Sequence, residues 1–118
     1  QGVTSPYAHM DRQIVVSSTL AGTIDPAVEV VTDPVAAIAD LKASARLGVW
    51  LCGGGVLAGA LIDEIDELVV KRQPLAFGAG CAMFSGAYRP TAFELVDHQV
   101  VGPITVDRLR RLSPDHLR

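Results

Sequence analysis

Val49-Trp50-Leu51-Cys52-Gly53-Gly54-Gly55-Val56-Leu57-Ala58-Gly59-Ala60 decides the reading of this chain: a short apolar strand runs into three consecutive glycines and leaves as a small-residue helix. Glycine carries no Cβ, so backbone N–H groups in such a turn can approach an anion with no side chain in the way. The helix that begins there adds the partial positive charge of its first turn. The stretch is neither the six-residue dinucleotide fingerprint nor a P-loop, because it has no Lys-Ser/Thr ending. The competing reading is that the glycines only let a helix pack tightly on a strand.

Around this stretch the chain alternates strand and helix. Gln1 to Asp11 is an irregular lead-in, and Gln13 to Ser17 is a β-branched run fit for a buried strand, closed by Ser18-Thr19 and by Gly22. Val28 to Val31 reads as a second strand after the Asp25-Pro26 turn. Asp33-Pro34 has the form of an N-cap with proline at the first helical position. The helix it opens carries Val35, Ile38, Ala39 and Leu41 on its apolar face and runs to about Ala45. Gly48 to Cys52 is the expected third strand, Val56 to Glu64 the next helix, and Glu67 to Lys71 the fourth strand. Ala92 to Val101 reads as a further strand, whereas Ile104 to Leu112 fits a closing strand or a helix. Strands joined by helical crossovers imply a mostly parallel central sheet flanked by helices, in one α/β domain over residues 1–118. The glycines then stand at the carboxyl end of a central strand, where open α/β sheets bind ligands.

Three features carry a family resemblance. They are the strand-GGG-helix unit, the strand at Ile65-Asp66-Glu67-Leu68, and the P-x-x-x-G-x-G-x-x-x-F segment from Pro74 through Gly78 and Gly80 to Phe84. A fourth lies upstream, where Arg12-Gln13-Ile14-Val15-Val16 ends in Ser17-Ser18-Thr19-Leu20. In this order, over roughly residues 7–101, the chain resembles the C-terminal part of the dihydrofolate reductase-like superfamily, in particular the riboflavin-biosynthesis reductase domain and its bacterial relatives. Members of that family open with a strand, a substrate-side loop and a helix ahead of everything seen here. The expectation is therefore an N-terminally incomplete fold, either a fragment or a truncated relative. The proton-donating acid of dihydrofolate reductases would lie in that segment, so the catalytic residues are unknown.

The resemblance implies an NADPH-dependent reductase that passes a hydride to a pterin-like or pyrimidine-ribose substrate. Gly53 and Gly54, a link often cis in the family, would let the main chain pass close under the cofactor. Gly55, Val56 and Leu57 would offer first-turn N–H groups to its pyrophosphate. Ser17, Ser18 and Thr19 would hold the 2′-phosphate that distinguishes NADPH from NADH; their alternative is an ordinary hydrogen-bonded turn. Two departures weaken that preference: no Arg lies within the Ser17–Leu20 turn, and Val56 stands where some members carry Arg. From another class, the chain reads as a non-catalytic nucleotide-binding or oligomerisation module that keeps the fold without a complete pocket. Loss of an N-terminal strand would uncover a sheet edge, so a homodimer is expected on either reading.

Composition bounds the alternatives. The 118 residues are 49% hydrophobic and 5% aromatic with a formal net charge of −3. A mildly acidic chain lacks the clustered basic surface that nucleic-acid binding requires, and no apolar run approaches a membrane span. Arg108, Arg110 and Arg111 read as a solvated helical or tail face. Cys52 and Cys81 fit no metal or C-x-x-C spacing and read as reduced, buried thiols of a cytoplasmic protein. Asp63, Glu64, Asp66 and Glu67 read as a solvated connection, and His9, His98 and His116 as scattered surface or tail residues with no zinc spacing. Trp50 is expected in the core, and Gly78-Ala79-Gly80 in a sharp bend close to the cofactor.

Overall fold

The structure, a computed structural model, describes residues 7–20 and 25–117. They fall into two compact units, Gln1–Val49 and Trp50–Arg118, each with its own sheet. Gly22, expected to help close the first strand, lies outside the described residues.

In the first unit the β-branched runs form β1 (Gln13–Val16) and β2 (Val28–Val31), which pair in parallel from Gln13 opposite Val28 to Val16 opposite Val31. Helix α1 (Pro34–Ser44) begins where Asp33-Pro34 predicts. The Asp33 carboxylate accepts hydrogen bonds from the Val35 and Ala36 N–H groups at 3.0 and 3.1 Å, filling two of the donors that a helix leaves open at its start. The half-buried stripe of α1 is Pro34, Ala37, Ile38 and Leu41, not the expected Val35, Ile38, Ala39 and Leu41. Positions 34, 37, 38 and 41 share one helix face, whereas Val35 is turned about 100° from Pro34 and is 51% exposed. Arg12, just before β1, donates to both carboxylate oxygens of Glu29 on β2 at 2.9 Å and lies 3.6 Å from Asp40 on α1, so one guanidinium ties three elements.

The chain from Gly48 onward, at the end of the first unit and through the second, departs further from expectation. Gly48 to Cys52 has no ladder partner among the described residues and is not a strand, and Trp50 is 74% exposed where a core position was expected. An apolar run becomes a strand only where its backbone joins a ladder, and among the described residues no ladder includes this run. Helix α2 spans Gly55–Ala60, and a 3-10 turn over Ile62–Glu64 replaces the rest of the expected Val56–Glu64 helix. Continued α-helix would place Asp63 and Glu64 at a C-terminus, where the helix dipole disfavours carboxylates. Ala58 and Leu61, each 7% exposed, are the most buried described residues and mark the core of this unit.

Strands β3 (Glu67–Arg72), β4 (Phe93–Val101) and β5 (Ile104–Arg111) form an antiparallel sheet in the order β3-β5-β4. The ambiguous Ile104 to Leu112 segment is thus a strand, and the sheets are mixed, parallel in the first unit and antiparallel in the second, in place of one mostly parallel sheet. The cause is a two-residue turn at Gly102-Pro103, with Gly102 at φ +58, which brings Val101 opposite Ile104. So short a connection can join only antiparallel strands. A bulge at Val96, between Leu95 and Asp97, shifts the β4–β5 register. Arg108, Arg110 and Arg111 therefore lie on a strand instead of a solvated helix or tail. Among the described residues no helix is long and apolar enough to cross a membrane.

Candidate functional site

The three glycines of the turn meet different demands. A Cβ on Gly55 would fall 2.2 Å from the Ala82 carbonyl oxygen, and one on Gly59, a helical turn later, 1.7 Å from the Ser85 carbonyl oxygen. The Ser85 N–H donates to the Gly55 carbonyl at 2.9 Å, so the backbone of residues 82–85 lies directly on a side-chain-free stripe of α2. For Gly55 and Gly59 the packing alternative holds. Gly53 is less restricted: its Cβ would meet the Leu57 Cδ2 at 3.0 Å, the end of a flexible side chain. Gly54 is restricted by nothing. Its φ of −76° and ψ of 174° suit any residue, and a Cβ there would meet no atom within 4 Å. The Gly53–Gly54 link is trans, against the cis form that the resemblance implied, since the described residues contain no cis peptide bond.

The chemistry of this turn follows from its backbone. The first hydrogen bond of α2 runs from the Ala58 N–H to the Gly54 carbonyl at 3.1 Å, and no side chain caps the helix. The N–H groups of Gly55, Val56 and Leu57 precede that first bond and so have no acceptor within the helix. Val56 is 77% exposed. Three N–H groups without a helical acceptor thus follow Gly54, and among the described residues no atom lies within 4 Å of where its Cβ would stand.

Ser17, Ser18 and Thr19 belong to the first unit, where they follow β1. The Ser17 hydroxyl accepts from the Thr19 and Leu20 N–H groups at 3.2 and 3.1 Å and lies 3.4 Å from the Thr19 hydroxyl. This is the self-satisfied Ser/Thr turn named as the alternative. It uses the acceptor capacity of Ser17 and leaves that hydroxyl a donor.

The remaining candidates are structural. Asp63 pairs with Arg89 at 2.6 Å and Glu67 with Arg108 at 2.6 Å, so two members of the carboxylate run are tied down on the surface. Glu67 holds the Arg108 guanidinium above its ordinary pKa, just as Arg12 holds the Glu29 carboxyl below the usual carboxylate range through their hydrogen bonds. The half-buried Arg111 side chain, by contrast, donates to the carbonyl oxygens of Ile65, at 2.9 Å, and Ile62, and so fastens the 3-10 turn to β5. His98 bonds through Nδ1 to Asp107 on the neighbouring strand, with Arg72 3.5 Å from the same carboxylate. Cys52 and Cys81 form no disulfide among the described residues and are exposed, not buried as expected. Among the described residues no group of His, Cys, Asp and Glu is arranged to hold a metal ion. The element that sequence reasoning missed is the strut at 82–85. Its signal was present in two glycines four residues apart on a helix and a Ser-Gly pair following Phe84.

No protein-family model matches the chain, and no curated protein matches it. Among solved structures it is similar to the "Putative riboflavin biosynthesis protein" of Shewanella sp. PV-4, with 27% sequence identity and a TM-score of 0.74. The match covers 86% of this chain and 61% of that one, so the chain spans about three-fifths of the length of its structural relative. Across most of its own length, this chain has a fold similar to that of the Shewanella protein.

Proposed function

We propose that this chain is the cofactor-binding part of an NADPH-dependent reductase of the dihydrofolate reductase and riboflavin-biosynthesis reductase type. The observation that carries the reading is Gly54: a glycine in the first position ahead of three unbonded helical N–H groups, required by neither backbone conformation nor packing. A residue with that freedom is explained by something that must come close to the main chain, and a dinucleotide pyrophosphate fits both the donors and the space. The similarity to a riboflavin biosynthesis protein supports the same class.

On this reading Gly53 and Gly54 admit the cofactor, and Gly55, Val56 and Leu57 donate to its pyrophosphate. The family resemblance, rather than any observed geometry, is what would assign the hydroxyls of Ser17, Ser18 and Thr19 to the 2′-phosphate. Bound NADPH would supply a hydride to a C=N or carbonyl-type bond of a pterin-like or pyrimidine-ribose substrate, and the protein's task is alignment. Calorimetric titration with NADPH beside NADH tests the proposal. Saturable binding, tighter for NADPH, is the expected result. A folded chain that binds neither nucleotide would contradict it, and the non-catalytic module would become the better reading.

A further inference from the structure

We draw no further inference here: the strongest candidate, the side-chain cluster of Arg72, His98, Thr105 and Asp107 on one face of the β3-β5-β4 sheet, is closed by the contacts of Arg72 and His98 with Asp107, and its Thr105 hydroxyl, without a hydrogen-bond partner among the described residues, belongs to a residue only half-buried, so nothing in the structure shows a ligand there.

Discussion

Replacing Gly59 by alanine should destabilise the second unit by about 2 kcal/mol. The added Cβ would stand 1.7 Å from the Ser85 carbonyl oxygen and 2.8 Å from its carbon, so about 1.3 Å of movement is needed to reach a tolerable 3.0 Å. The obstructing atoms are backbone, so no rotamer change relieves them. Overpacking of this kind costs about 1–3 kcal/mol, and parting α2 from the strut also gives up the Ser85–Gly55 hydrogen bond, about 0.5–1.5 kcal/mol. Alanine returns about 1 kcal/mol through its better helix propensity, which leaves the net loss near 2 kcal/mol and a fall in Tm of about 8 °C for a chain of this length. Trp50, the one tryptophan, lies in the same unit and reports its unfolding in urea by fluorescence. Gly54→Ala is the control. Its Cβ meets nothing within 4 Å, and a gain through the unfolded chain and a loss at the N-cap nearly offset each other, so it should stay within about 0.5 kcal/mol of the parent. A Gly59→Ala chain as stable as the parent would refute the strut and return Gly59 to the unexplained residues.

Two further outcomes are expected in the first unit. Asp33→Ala should lower its stability by about 1 kcal/mol, with Asp33→Asn retaining most of the cap, as read by the loss of helical circular dichroism in urea. Glu29, held by Arg12 below the usual carboxylate range, should give the folded unit a pH dependence. The unfolded chain takes up the proton first, so the contribution of Glu29 is fully present above its ordinary pKa and disappears as the pH falls through the depressed value. Glu29→Gln should flatten the stability profile in that acid window, and salt should shrink the effect because both partners are exposed. An unchanged acid profile in Glu29→Gln would show that the pair contributes nothing.

What could be read from the sequence was local. β1, β2 and the start of α1 follow from β-branched runs and an Asp-Pro cap, whose causes lie within a few residues of one another. The errors arose where the cause is distant. Gly48 to Cys52 has a strand's composition, but pairing is decided by a neighbour that composition cannot show. The apolar stripe of α1 differs from the expected one because Val35, although hydrophobic, is turned to solvent by its position on the helix. The antiparallel second sheet was within reach, because Gly102-Pro103 between Val101 and Ile104 is a hairpin signal; reading the alternation of strands and helices as a parallel sheet overrode it. At the candidate site the glycine run is legible in the sequence. Its division into packing glycines and an open one is not, because it depends on where residues 82–85 return in space.

The central claim is that Gly54 is kept open for a dinucleotide, and it is tested most directly by NADPH calorimetry on Gly54→Val beside the parent chain. The account predicts that the variant stays folded, melting at most slightly below the parent because it loses a favourable N-cap residue at a position where an added Cβ meets no described atom within 4 Å, and that NADPH binding is lost. A Gly54→Val chain that is equally folded and binds NADPH as tightly as the parent would contradict it, and would place any nucleotide away from the glycine turn.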